Sequence, residues 1–237
     1  MTDDGDRFQR WITEGRDADH PAIPAATVIL LRDAEHGLET LMLRRNSKLA
    51  FGGMWVFPGG RIDDADREGA PDMVTAARRA AVREALEEAA LVVDESSLAF
   101  ISHWTPPGLA PKRFATWFFV APAPEGAVTI DMGEIHEEAW MPAADALARR
   151  DALEIELAPP TWVTLHYLAE FDSVDALMDD ARDREPFWYQ TAMGRTEEGM
   201  AAVWEGDAAY ESGDLDAPGP RHRLWMHEAG WRLERDV

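Results

Sequence analysis

Cysteine, long apolar runs and positive charge are what this sequence lacks, and each lack narrows its chemistry. With no cysteine there is no disulfide framework, no thiolate zinc site and no cysteine nucleophile, which fits a reducing cytoplasm as the expected location. No stretch approaches the roughly 18 continuous apolar residues of a membrane helix, so no membrane partner is expected. Met1 to Asp6 is acidic and polar, without a basic region leading into an apolar run, and no secretory signal is expected. Lys and Arg number 23 against 45 Asp and Glu, a formal net charge of −22 over 237 residues. A field of that sign disfavours nucleic acid as a partner. It would also repel a small anionic substrate, unless metal ions or local arginines reverse the sign inside a site.

The sequence does carry enough apolar residues, 46% with 10 Trp, for a packed core. Residues 1–21 read as an N-terminal arm with a short helical turn around Phe8 to Ile12. Ala25 to Arg32 is a short apolar, β-branched run bounded by Pro24 and Asp33, and Glu39 to Arg45 returns as its hairpin partner. Gly52, Gly53, Pro58, Gly59 and Gly60 then surround Trp55-Val-Phe57 in a tight loop. Val74 to Ala90 is the clearest helix, rich in Ala, Arg, Glu and Leu, with Ala77, Ala81, Val82, Ala85, Leu86 and Ala89 as its apolar stripe. Strands are predicted near 98–104, 113–121 and 135–141, and helices at 142–150, 160–171 and 173–183. This order is not a repeating βαβ unit and predicts an α+β fold, a mixed sheet flanked by helices. After about residue 185 only 200–204 and 222–226 look strand-like, with Trp231 closing a small C-terminal extension, 186–237. That extension is expected to pack on the main domain, 22–185, or on a second copy in a homodimer.

The chemistry concentrates in Arg83-Glu-Ala-Leu-Glu-Glu88. Glu84, Glu87 and Glu88 share one helix face by i, i+3 and i+4 spacing, and three like charges so close require a positive neutraliser. A hard divalent cation with oxygen ligands, Mg²⁺ or Mn²⁺, suits a carboxylate cluster in a cysteine-free chain. An ordinary solvated acidic helix face would look the same. The Phe57-Pro-Gly-Gly60 loop upstream tips the balance, because paired glycines admit a ligand close to the backbone and offer a carbonyl to a metal.

Together these residues resemble the Nudix hydrolase family, whose signature is G-x5-E-x7-R-E-U-x-E-E-x-G-U, with U a bulky aliphatic residue. Gly60 opens it, and Arg83 to Leu91 form its helical half. Ala90 stands at the second glycine, Ala85 is small for an aliphatic position, and the interval from Gly60 to Arg83 is about nine residues longer than in the signature. Counted forward from Gly60 the first acid would be Asp66; counted back from Arg83 its place falls on Thr75. Asn46 to Gly60 and Lys112 to Phe119 are similar to a branch that includes the peroxisomal coenzyme A diphosphatase of animals and bacterial relatives. In the coenzyme A motif, Arg44 and Gly53 fall in register while Leu49 takes the second arginine's place.

The resemblance implies a Nudix-type mixed sheet between helices (an α/β/α sandwich) with additional C-terminal helices, and water attack on a diphosphate. Gly60, Glu84, Glu87 and Glu88 would hold the metal, and Glu84 and Glu88 would also be catalytic. A later base would come from Glu134, Glu137 or Glu138, with Glu137 preferred. Arg44, Arg45 and Arg113 are candidates for binding a substrate phosphate. The substrate would be a small diphosphate such as coenzyme A or an acyl-CoA. ADP-ribose, a dinucleotide or a nucleoside triphosphate would use the same chemistry, and a silent nucleotide-binding module is the non-enzymatic alternative.

Overall fold

The computed structural model describes residues 21–35, 37–46, 52–108, 113–197, 199–227 and 230–236. The expected N-terminal turn, Ser47 to Phe51 and Lys112 lie outside the described residues. The chain divides into two compact units. One comprises residues 24–103 and 116–187; the other comprises 1–23, 104–115 and 188–237.

In the larger unit, β1 (Ile23–Ala34) and β2 (Gly37–Arg45) form the expected antiparallel hairpin, closed tightly enough that Ala34 pairs with Gly37. The sheet runs β3 (Trp55–Val56), β2, β1, β6 (Phe114–Pro122), β5 (Ala99–Thr105). Short β4 (Gly59–Arg61) pairs antiparallel with β1, and β7 (Ile135–Pro142) with β2. Ile23 donates to the Arg113 carbonyl at one end and Ala123 to that of Leu31 at the other, so β1 and β6 run parallel and the sheet is mixed. The expected glycine-rich loop thus contains two strands. It escapes a propensity reading because glycine weakens a strand unless close packing needs it.

Helix α1 (Asp64–Arg67) is a single turn, and α2 (Met73–Ala89) starts on Asp72, whose side chain accepts from the Thr75 N–H at 2.8 Å. Helices α3 (Ala143–Asp151), α4 (Pro159–Leu168) and α5 (Val174–Asp183) follow. The buried stripe of α2 is all alanine (Ala76, Ala77, Ala80, Ala81, Ala85, Ala89) and packs with Ala26, Val28, Leu30, Leu41, Leu43 and Phe119 of the sheet. Small side chains bring the helix axis close to the strands. Leu86, expected in this stripe, is 50% exposed, because the stripe follows the steps 77–81–85–89 and Leu86 lies a third of a turn off it. Ile29, Leu31 and Met42, on the opposite sheet face, are equally buried, as a sheet covered on both sides requires. Ala90 caps α2 in the left-handed region at φ 56, the conformation that a glycine there would adopt without strain. No helix among the described residues is long and apolar enough to cross a membrane.

In the smaller unit, β8 (Phe187–Gln190) brings Tyr189 to stack on Trp104 at 3.7 Å. An antiparallel meander follows: β9 (Ala192–Thr196), β10 (Gly199–Val203), β11 (His222–His227) and β12 (Gly230–Arg235). Only the apolar cores of β10 and β11 are visible in the sequence; β9 and β12 are polar outer strands. A buried ion pair ties the segment that links β10 and β11 to β11 itself. Arg223 donates to both Asp207 oxygens, at 2.7 and 2.6 Å, and to the Leu215 carbonyl at 2.8 Å. Burial pushes the Asp207 carboxyl up, but Arg223 and the N–H groups of His222 and Ala209 prevail and hold it at about 2.

A carboxyl lowered in the fold contributes stability that is complete above its unfolded value, about 3.9, and is lost as pH falls through the folded value. Tryptophan fluorescence in urea should therefore show the native chain weakening between pH 4 and 2. Asp207→Asn should cost about 3–5 kcal/mol at neutral pH and flatten that pH dependence. Equal midpoints for the two proteins at pH 7 would refute this.

Candidate functional site

The site is built from β4, α1, α2 and the ends of β2 and β7. Thr27 pairs with Gly59 and Ala26 with Gly60, which presses the two glycines between β1 and α2. A Cβ on Gly59 would collide with Thr27 and the Ala26 carbonyl; one on Gly60 would overlap the Glu84 carboxylate. Neither glycine is needed for an unusual φ. Both are needed for the closeness of the approach. The Gly59 N–H donates to Glu88 Oε2 at 2.9 Å.

Glu88 is 3% exposed. Burial pushes its carboxyl up to about 7; the Gly59 N–H and Arg45 oppose this, while Glu84 and Glu134 add to it. Burial also raises Glu84, against the pull of Arg83, with Glu87 and Glu134 contributing in the same sense as burial. Burial is thus the main cause for both carboxyls, and neighbouring carboxylates add to it.

Arg83 organises the face. Its Nη1 reaches Glu84 at 2.8 Å and Glu87 at 2.9 Å, its Nη2 reaches the Arg61 carbonyl at 2.8 Å and Asp66 at 3.0 Å, and its Nε meets Asp66 at 3.3 Å. Asp66 is buried and also accepts from the Asp63 N–H at 2.9 Å, while Arg79 ties down the Glu68 carbonyl at 2.8 Å. Of the two positions open for the first acid, the structure brings Asp66 to Arg83. Thr75 sits in the first turn of α2, at the Asp72 cap. With Asp66 as that acid, the spacing from Gly60 would be kept and the extra residues would fall between Asp66 and Arg83.

Arg45 Nη2 lies 2.9 Å from Glu134 and Nη1 3.4 Å from Glu88. Glu134 is brought in by the 129–135 loop, whose Thr129 and Asp131 N–H groups donate to the Ala89 and Glu88 carbonyls. Glu137 stands opposite Arg44 on β7, with the pair 3.4 Å apart and about half exposed; Glu138 stands opposite Leu43 and is exposed. Arg113 belongs to the smaller unit and donates to the Pro106 carbonyl at 3.2 Å. His103 is buried against the edge of Trp117, and burial holds it down at about 4.

Among the described residues no three acidic or histidine side chains converge as a ready-made cage. Each carboxylate of the face is held instead by an arginine or a backbone N–H. The donor set nevertheless fits a hard cation: carboxylate oxygens on one helix face, one of them buried, beside a closely packed backbone that offers a carbonyl.

The NUDIX domain family matches residues 21–163. Among solved structures, the chain is similar to a NUDIX hydrolase from Alicyclobacillus acidocaldarius, with 23% identity and a TM-score of 0.63 over 68% of this chain and 97% of that one. It is also similar to a MutT NUDIX hydrolase from Burkholderia pseudomallei, with 18% identity and a TM-score of 0.48 over 62% and 98%. The NUDIX domain of Shewanella oneidensis NrtR, solved with ADP ribose, gives 19% and 0.48 over 72% and 98%. No curated protein matches the chain.

If Asp66 is the acid that anchors Arg83, Asp66→Asn should lower stability by about 2 kcal/mol in urea unfolding, whereas Thr75→Val should stay within about 0.5 kcal/mol. The reverse ranking would return the role to Thr75.

Proposed function

The chain belongs to the NUDIX family and is a pyrophosphohydrolase, and we propose that it cleaves the diphosphate of a nucleoside diphosphate linked to a second moiety, using a divalent cation held on α2. The observation that carries this reading is the packing of Gly59 and Gly60 against Glu88 and Glu84. Glu84, Glu87 and Glu88, with the Gly60 carbonyl, are the oxygen donors for the cation, Mg²⁺ or Mn²⁺. Bound there, such a cation neutralises the diphosphate, polarises the scissile P–O bond and lowers the pKa of the attacking water.

The chain's own residues do the rest. Water forms a bond to one phosphorus while the bridging P–O bond breaks, and the departing oxygen leaves as part of a second phosphate. We assign Glu84 the role of accepting the water's proton. Glu134 is the later carboxylate nearest in charge to Glu84 and Glu88, and we assign it the assisting role, with Glu137 as the second candidate. Arg83, fixed by Asp66, holds Glu84 and Glu87 in place. Arg44, half exposed beside the site, is available to a substrate phosphate.

The substrate we assign is coenzyme A or an acyl-CoA. Its support is the likeness of residues 46–60 and 112–119 to the coenzyme A diphosphatase branch. The test is a panel of coenzyme A, an acyl-CoA, ADP-ribose, a dinucleotide and a nucleoside triphosphate with Mg²⁺, assayed for phosphate-bearing products. Coenzyme A should turn over, and Glu84→Gln and Glu88→Gln should each lower kcat by roughly 100- to 10,000-fold. Turnover of ADP-ribose without coenzyme A would overturn the substrate, and unchanged rates in both variants would overturn the site.

A further inference from the structure

We propose that Arg45 is a resident counter-cation for Glu88 and Glu134, one that a divalent cation must displace in order to bind; this rests on the reading of the α2 face as a metal site. The two arginines of this face are built differently: Arg83 meets Glu84 and Glu87, and Arg45 meets Glu88 and Glu134. Arg83 is tied to Asp66 through two nitrogens and to the Arg61 carbonyl, so it keeps its place whatever happens to Glu84 and Glu87. Among the described residues the side-chain hydrogen bonds of Arg45 go to Glu88 and Glu134, and its buried Nε has no hydrogen-bond partner. Nothing else among the described residues holds its guanidinium there.

The physical need for it is plain. Glu88 has a side chain 4% exposed, and a buried carboxylate without a cation is costly. A guanidinium does not give up its proton, so Arg45 cannot step aside by losing its charge. A metal ion using Glu88 oxygens therefore meets Arg45 as a like-charged competitor, and binding it means moving the side chain. The metal-free fold is kept intact at the expense of metal affinity, and the displaced guanidinium becomes a two-pronged donor for phosphate oxygens.

The test is calorimetric titration of Mg²⁺ into the metal-free full chain as wild type, Arg45→Gln, Arg45→Lys and Arg44→Gln. Arg45→Gln should bind Mg²⁺ about tenfold more tightly, the scale of one half-buried charge pair, and should gain more in Tm from Mg²⁺ than the wild type does. Arg45→Lys, which keeps the charge, should stay near the wild type, and Arg44→Gln should change Kd less than about twofold. Weaker or unchanged binding by Arg45→Gln overturns the inference and makes Arg45 a positioning residue. Equal tightening by Arg44→Gln also overturns it, because the general field would then be the cause. If Arg45→Gln is unfolded without metal, recovery of the wild-type circular dichroism on adding Mg²⁺ supports the inference, and failure to recover overturns it. A wild type that binds no Mg²⁺ overturns the metal reading itself, an outcome distinct from all the others.

Discussion

Two adjacent glycines let a strand lie against two helix carboxylates more closely than any side chain would permit. Gly59 and Gly60 fit between β1 and α2 because a Cβ on either would strike Thr27 or Glu84, and the Gly59 N–H closes directly on Glu88. The alanine stripe of α2 serves the same end from the other side, because it lets the helix settle close to the sheet. Burial of Glu88, the raised proton affinity of Glu84 and Glu88, and the arginines drawn in around them all follow from that contact. The interaction is costly in isolation. Placing like charges together out of water is tolerated only where cations or hydrogen-bond donors offset them.

The offset is divided between two arginines with different freedom. Arg83 is held by Asp66 and a backbone carbonyl and acts as a fixed strut. Among the described residues the Arg45 side chain hydrogen-bonds only to the carboxylates it neutralises, and its position answers to their charge. A site arranged this way is stable without a ligand and still keeps oxygen donors that a harder, more compact cation can claim. Charge balance thus couples the fold of the larger unit to its chemistry.

Much of this was legible in the sequence. Helix spacing put Glu84, Glu87 and Glu88 on one face, the hairpin was bounded by its own breakers, and the two glycines marked a close approach. What was not legible has physical causes. Counting residues could not choose between Asp66 and Thr75, because an inserted stretch can fall on either side of the acid; the contact of Asp66 with Arg83 is visible only in the fold. Glu134 and Glu137 differ by three positions on one segment, yet the β2–β7 register and the hydrogen bonds of the 129–135 loop send one to Arg45 and the other to Arg44. Nothing in the sequence announces that Arg45, a candidate phosphate ligand, lies beside Glu88 and Glu134. The outer strands of the C-terminal sheet carry too little apolar alternation to announce themselves, and the pair that stabilises that sheet, Asp207 and Arg223, is sixteen residues apart and looks like surface charge in the sequence.

The most direct test of the central claim is Mg²⁺-dependent diphosphate hydrolysis by Gly60→Ala, with its melting temperature measured in parallel. The close-approach account predicts a folded protein whose kcat/KM falls by about 100-fold, because the added methyl displaces the Glu84 carboxylate by a distance that orientation-dependent chemistry does not tolerate. Wild-type activity in a folded Gly60→Ala protein would contradict it.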